Sequence, residues 1–461
     1  MRILTEEIIE RVGKEVRLAG WVGARRDHGK IIFIDLRDIS GIVQLVFTPK
    51  EKELYQKAER LRPGWVIQVA GQVKERPAGM QNPEINTGKY EMEVSDLNIE
   101  SEAETPPISV SGDGYEIGEE SRMKYRYLDL RRGRLQRNLK KRGEAINFLR
   151  NHLIIEHGFV EIETPYLGKS TPEGARDYLV PSRLEPGKFY ALAQSPQQYK
   201  QLLMVAGMEK YFQMARCFRD EDTRGDRQPE FTQLDIEMSF VEESELMNLI
   251  TEMMNAFVKE VFPEKKDKIS FSFISYEESV KKYGSDKPDI RKNKDELAFL
   301  WVLNFPLFEY SKTEKKLVSA HHPFTAPQEG DIKLLDSEPR KARARAYDLV
   351  LNGFEIGGGS IRIYKRVLQE KIFGLLGLSP EKYREEFGHM LEAFDYGAPP
   401  HGGIAIGIDR LMAILLDEPN IREVIAFPKT GDGRDLMTGA PDAIDKKHLD
   451  ELHLQVKKTK K

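Results

Sequence analysis

The chain has 461 residues, 40% of them hydrophobic and 32% charged, with a formal net charge of −4 and a single cysteine. That length predicts two or three domains with large cores, and one cysteine excludes internal disulfides and thiolate metal clusters. A small net charge excludes recognition of a polyanion by bulk charge alone, and no apolar run approaches the length of a bilayer span, so a soluble protein without membrane segments is expected.

The opening MRILTEEIIE has neither a basic leader nor an apolar signal core, so no export and a cytoplasmic location are expected. Residues 1 to about 100 then read as five strands and one helix. EVRLAGWVGARR, KIIFIDLRD and GIVQLVFTP alternate, EKELYQKAERLR is helical, and WVIQVAGQVKER and KYEMEVSDLNIES alternate again. A helix between the third and fourth of five strands is the order of an OB-fold barrel, which commonly binds oligonucleotides on its strand 2–3 face. Phe33, Arg26 and Gln44 fall on that face as an aromatic platform, a cation and an amide able to pair with a base edge. On an apolar strand Phe33 also fits a core position.

Pro106–Pro107 and SGDGYEIGEE mark a linker. Between Arg122 and Arg142 stand ten Lys or Arg residues and a single acid, Asp129, interleaved with Tyr125 and Tyr127. The run predicts a phosphate-tracking segment, a solvated helix start being the plainer alternative. The domain limits expected are residues 1–104 for the barrel, 105–142 for the hinge and 143–461 for one large α+β domain.

In that domain an amphipathic helix, RGEAINFLRNHLIIEHG, closes on Gly158, and the strand FVEIETPYL is ended by Pro165. The segments YFQMARCFRDE and FTQLDIEMSF predict a half-buried hairpin. It puts Gln233, Asp235 and Glu237 on one side and Leu234, Ile236 and Met238 on the other, with Cys217 a packed, inert thiol. Arg219 and Glu221 end the first strand, and a guanidinium beside a carboxylate suits a phosphate and its metal ion. Asp348 and Glu355 in AYDLVLNGFEIGGGSIR come side by side if Asn352–Gly353 forms a turn. Finally HGGIAIGIDRLMAILLDE runs through Gly402, Gly403, Gly407, Asp409 and Arg410 into an apolar helix, its small residues leaving room for a nucleotide.

These three segments resemble motifs 1, 2 and 3 of the class II aminoacyl-tRNA synthetases, in the form seen in bacterial-type aspartyl-tRNA synthetases, and the likeness extends from Gly20 to Ala440. The resemblance implies an α+β fold: an N-terminal OB-fold β-barrel followed by a class II synthetase catalytic domain built on an antiparallel sheet flanked by helices. It implies an aspartate–tRNA ligase that takes L-aspartate, ATP and Mg²⁺, charges tRNA-Asp, and works as a homodimer through motif 1. By the same likeness Arg219, Glu221 and Arg410 carry the chemistry, and Asp220, Gln228, Phe231, Gly407, Ile408 and Asp409 complete the ATP site. Asp348 and Glu355 would hold the metal, Glu355 also bordering ATP. Lys200 and Arg362 would meet the aspartate carboxylate, an Arg fork discriminating against an amide. Glu173, Gln197, Gln233, Asp235, His321 and His322 would complete the aspartate site. Arg26, Phe33, Gln44 and Glu91 fall where the family contacts the anticodon.

The chain departs from that pattern in places. GSDKPDIR (Gly284 to Arg291) is followed almost directly by KNKDELAFLWVLNFPLFE, so the inserted domain of over a hundred residues usual in bacterial enzymes is missing. Asp409 stands where the general class has Glu, as in the bacterial aspartate enzymes. His28 and Gly79 stand where tRNA-Asp-specific enzymes carry Leu and Lys, and this implies the non-discriminating form that also charges tRNA-Asn. The alternatives are a strictly tRNA-Asp-specific enzyme, an asparaginyl or lysyl enzyme sharing the same motifs, and a catalytically silent tRNA-binding paralogue.

Overall fold

Five strands near the N-terminus close on themselves. β1 (Glu15–His28), β2 (Ile31–Arg37), β3 (Ile42–Phe47), β5 (Tyr90–Ser101) and β4 (Val66–Glu75) follow one another around a closed barrel, and β1 pairs back onto β4. The computed structural model describes residues 1–170 and 174–457 and divides into two units, Met1–Gln136 and Arg137–Lys461. In the barrel Ile32, Ile34 and Leu36 alternate inward and are at most 1% exposed. Phe33, Asp35 and Arg37 therefore lie on the outer face, which resolves the two readings of Phe33. The helix Lys52–Arg60 joins β3 to β4 in the expected order.

The basic run is a correction. Arg122, Arg126 and Arg132 are turned inward onto Asp129, with nitrogen–oxygen distances of 3.1, 2.8 and 2.6 Å. Asp129 and Arg132 are wholly buried, so these three cations form an internal cluster rather than a phosphate-tracking face. A lone carboxylate among guanidiniums collects them, because burying any one of these charges unpaired is costly.

The second unit begins within the helix Gly133–Asn151, which continues through the turn His152–Glu156 to Gly158. Only Val160–Glu161 (β6) of the expected strand FVEIETPYL joins the main sheet. Leu167–Gly168 (β7) joins β8 (Leu179–Pro181) and β9 (Phe189–Leu192) in a small separate sheet. The main sheet has eight strands, adding β10 (Lys210–Phe218), β11 (Glu230–Ser239), β12 (Ile269–Ser275) and β13 (Leu297–Leu303). After the hairpin β14 (Phe308–Ser311) and β15 (Lys316–Ser319), it is completed by β16 (Ala346–Leu351), β17 (Phe354–Ile361) and β18 (His401–Gly407). Their order is β12-β13-β16-β17-β18-β11-β10-β6. Inner pairs are antiparallel, but β12 with β13 and β6 with β10 are parallel, so the sheet is mixed at both edges rather than purely antiparallel. Parallel neighbours need a crossover, and the helix Tyr276–Tyr283 supplies it between β12 and β13.

One face of this sheet is the core. The helix Glu243–Val261 packs Leu246, Ile250, Met253 and Phe257, spaced three or four apart, against Leu234, Ile236, Ile404 and Ile406 of the central strands. Alternation then obliges Gln233, Asp235 and Glu237 of β11 to face the opposite side, where small residues of β17 and β18 leave a depression.

Candidate active site

That depression is a cavity of about 550 Å³. Arg219, at the end of β10, and Arg410, in the first turn of the helix Ile408–Leu415, both line it although they lie far apart in the chain. The Arg219 guanidinium sits over the Phe231 ring, 5.1 Å from its centroid, which fixes the cation against the sheet. Arg410 is tethered by Asp226 at 3.2 Å and by the Glu355 carbonyl oxygen. Glu221 and Arg227, joined at 3.3 Å, complete this rim.

The same cavity is also lined by buried charge. Lys200, from the helix Gln197–Val205, reaches Asp235 at 2.9 Å and Glu237 at 3.2 Å. Arg362 donates from Nε and Nη2 to the two carboxylate oxygens of Glu237 at 2.9 and 3.1 Å, leaving Nη1 against Ser360 and His322. All four charged residues are at most 2% exposed. The hairpin is therefore not half-buried as the sequence suggested: its polar side is sealed by cations. Burial alone would raise the Glu237 carboxyl, but Arg362 and Lys200 outweigh it and hold the group at about 2. Burial raises Asp235 against the pull of Lys200, and Oδ1 of Asp235 has no hydrogen-bond partner. A Cβ on Gly403 would stand 2.0 Å from the Glu237 carboxylate, so this glycine makes the seat for it. The paired edge of the Arg362 fork is thus occupied by Glu237 and is not open to a ligand carboxylate as the sequence suggested.

Two further carboxylates, Asp348 and Glu355, line the cavity. Asn352 (φ 52°) and Gly353 (φ 86°) form the tight turn that folds β16 onto β17, as the Asn-Gly pair predicts. A Cβ on Gly358 would meet Asp348 Oδ1 at 2.9 Å and Glu355 Oε1 at 3.7 Å, so both carboxylates converge over a bare glycine. Burial and then the neighbouring Asp348 raise the Glu355 carboxyl against the pull of Arg410, Lys287 and His321. Among the described residues no cluster of three or more His, Cys, Asp or Glu could hold a metal. Two carboxylates without further protein donors fit Mg²⁺, which usually keeps waters and takes the rest of its shell from phosphates. His321 bonds Asp348 at 3.2 Å, and that partner raises it despite its burial. His322, enclosed and beside Arg362, is held well below its ordinary value and stays neutral.

The cavity thus gathers most of the expected residues, including Gln197, Gln233, Gly407 and Asp409. Others are placed differently. The Gln228 amide is spent on the Lys429 backbone, donating at 3.0 Å and accepting at 2.7 Å, which leaves its stem at the cavity. Ile408 is a core residue, 1% exposed, and Asp220 pairs with Arg176 at 3.7 Å outside the lining. Asp409 is held by Arg142 at 2.6 Å and accepts from the Thr232 amide, so it anchors the glycine-rich strand and helix. Glu173 lies outside the described residues. The sequence reading gave no role to Glu237 or Asp226. The first was signalled by its place two residues after Asp235 on the same face, whereas nothing in the pattern marked Asp226.

On the barrel, the four nucleic-acid candidates share one surface. Arg26 pairs with Asp35 at 2.6 Å, and Gln44 donates to Glu91 at 2.9 Å. Phe33 faces Arg26 across β1 and β2. Arg76, absent from the sequence reading, adds a second cation near Asp35 and Glu91. His28 and Gly79 are both exposed, and Gly79 has φ 84° with open space around it.

Comparison with known proteins follows the same division. Residues 118–431 match the family of tRNA synthetases class II (D, K and N), and residues 16–100 match the OB-fold nucleic acid binding domain. A Dictyoglomus turgidum protein, Aspartate--tRNA(Asp/Asn) ligase, is 43% identical over 573 aligned positions, covering 97% of this chain and 96% of that one. A protein of the same name from Syntrophomonas wolfei is 42% identical over 583 positions, covering 98% of both. Alignments of that length against 461 residues leave a long stretch of each relative without a counterpart here. Among solved structures, asparaginyl-tRNA synthetase from Pyrococcus horikoshii complexed with asparaginyl-adenylate superposes with TM-score 0.75 at 24% identity, covering 93% of this chain and 98% of that one. The aspartyl tRNA synthetase from Entamoeba histolytica gives 0.73 at 22%, covering 92% and 90%. At those identities the structures speak for the fold alone. No described helix is long and apolar enough to cross a membrane.

Proposed function

This chain belongs to the class II tRNA synthetases of the D, K and N group, and from that premise we propose that it is an aspartate–tRNA ligase of the non-discriminating kind. It activates L-aspartate with ATP and transfers it to tRNA-Asp and tRNA-Asn. The observation that carries the reading is one cavity lined both by Arg219 and Arg410, suited to phosphates, and by the buried Lys200–Arg362 pair.

In the first step the aspartate α-carboxylate attacks the α-phosphorus of ATP, the bond to the β-phosphate breaks, and pyrophosphate leaves. The attacking group is already ionised, so the protein needs no base there; its contribution is alignment and neutralisation. Arg219 takes the α-phosphate, where charge grows, and its stacking on Phe231 prepares that ring to take the adenine on its other face. Arg410 holds the γ-phosphate and exchanges its Asp226 partner for it. Asp348 and Glu355 are the residues that would hold Mg²⁺, which would supply positive charge to shield the phosphate oxygens. Lys200 and the one Nη2 hydrogen of Arg362 not given to Glu237 receive the side-chain carboxylate. An asparagine amide there sets an NH₂ against two cations and is rejected. In the second step a hydroxyl of the terminal tRNA ribose attacks the carbonyl of the adenylate and AMP leaves.

Arg26, Phe33, Gln44 and Glu91 read the anticodon. Acceptance of tRNA-Asn rests on His28 and Gly79 and on the Asp/Asn names of the relatives. Homodimer formation through the motif 1 segment is supported by exposed apolar residues beside β6, Ile155 at 72% and Val160 at 49%. Charging tRNA-Asp and tRNA-Asn side by side with purified protein tests the proposal. Comparable rates with both are expected, and inability to charge tRNA-Asn would reduce it to the strictly specific enzyme.

A further inference from the structure

A chain of three buried side chains runs from the cavity into the protein. His401, at the start of β18, has Nδ1 2.8 Å from the carbonyl oxygen of Pro399, and a carbonyl only accepts. Nδ1 therefore carries the proton. The ring is wholly buried, which holds it below its ordinary value and neutral, so Nε2 is left as an acceptor. Gln201 answers with its amide nitrogen, which donates to His401 Nε2 at 3.1 Å. Its oxygen must then face the other way, and it accepts from Gln197 Nε2 at 3.0 Å. Gln197 stands one turn earlier on the same helix and lines the cavity. Each link has a single donor and a single acceptor assignment, so the Pro399 carbonyl fixes the flip of an amide three side chains away.

We propose that Gln201 and His401 are positioning residues that lock Gln197 with its oxygen, not its NH₂, toward the amino acid. Resting on the aspartate reading above, this assigns what the oxygen meets. Both carboxylates of aspartate are acceptors, and its only donor is the α-ammonium. Asp235 Oδ1, buried and without a hydrogen-bond partner in the same cavity, is a second acceptor for that group. Lys200, which bonds the other oxygen of Asp235, springs from the same turn of helix as Gln197. A rotated Gln197 amide sets NH₂ against the ammonium, and the penalty falls on aspartate and not on ATP.

The test uses the full-length protein in aspartate-dependent ATP–pyrophosphate exchange, with succinate, which is aspartate without its amine, as competitive inhibitor. Gln201→Leu is expected to raise KM for aspartate on the order of tenfold or more, the weight of one hydrogen bond to a charged group. KM for ATP and inhibition by succinate should hold. Gln201→Glu, which when protonated donates to His401 Nε2 and still accepts from Gln197, should restore KM for aspartate to within about threefold. His401→Asn keeps a donor for Pro399 but has no atom in reach of Gln201, and should reproduce the Gln201→Leu defect if that variant does not fold. Wild-type KM for aspartate in a folded Gln201→Leu or His401→Asn protein overturns the relay while leaving the ligase reading intact. Absence of exchange in the unaltered protein would instead strike that reading. Parallel losses for aspartate, ATP and succinate would show a structural role only and likewise overturn the relay.

Discussion

Replacing Glu237 with Gln removes one negative charge from between two cations and keeps the volume. The cost follows from the geometry. Glu237 is wholly buried, bonds Arg362 twice at 2.9 and 3.1 Å and faces Lys200 at 3.2 Å, and neither cation is more than 2% exposed. Breaking a buried ion pair from one side costs about 3–5 kcal/mol, because the partner charge stays buried without compensation. The depressed carboxyl gives a similar figure: a drop from 4.5 to about 2 in the folded state corresponds to about 3 kcal/mol. Melting of Glu237→Gln should fall by roughly 3–5 °C in a protein of this size. Linkage fixes the sign with pH. The folded value lies below the unfolded one, so the contribution is fully present above about 4.5 and disappears as pH falls from there toward about 2. Urea titrations of both proteins should show a gap that is constant at neutral pH and narrows through that window. Released from its anchor, Arg362 should also lose its aim, raising KM for aspartate more than KM for ATP. A variant that melts within 1 °C of the parent and keeps its KM for aspartate would refute the claim that this carboxylate organises the pocket.

The remaining outcomes concern other parts of the molecule. Asp348→Asn and Glu355→Gln should each shift the Mg²⁺ dependence of exchange to higher concentration, checked by metal titration, while leaving the melting temperature of the metal-free protein nearly unchanged or raised, since each relieves repulsion over Gly358. His28→Leu combined with Gly79→Lys should lower the charging of tRNA-Asn relative to tRNA-Asp. Because Gly79 has φ 84°, its replacement also costs about 1–2 kcal/mol of local strain, visible in a parallel melt. Asp129→Asn should destabilise the N-terminal unit by about 3–5 kcal/mol, since three buried guanidiniums lose their shared partner, as urea unfolding would report.

The parts of this fold legible in sequence were those set by local rules. Alternation in FTQLDIEMSF fixed which side chains of β11 face the core, and Asn352–Gly353 announced the turn that aligns Asp348 with Glu355. The parts that were not legible depend on long-range pairing. A run of cations gives no sign of whether it faces water or a single buried acid, and Asp129 decided that for Arg122, Arg126 and Arg132. Gln228 stands among charged loop residues, yet its amide is consumed by a backbone 201 positions away. Arg362 was foreseen at the pocket, but not that Glu237 already occupies its paired edge. That competition lives only in three dimensions. The parallel edge pairs of the sheet were missed for a related reason, since strand pattern carries no direction.

Amino-acid-dependent ATP–pyrophosphate exchange puts the whole account to one measurement. The unaltered protein should exchange with aspartate and not with asparagine or lysine, and Arg219→Ala and Arg410→Ala should each lower that rate by roughly 10²–10³, the range for removing one preorganised group that stabilises the transition state. Exchange driven by asparagine or lysine, or a rate undiminished without either guanidinium, would contradict the convergence of both arginines on one bound nucleotide.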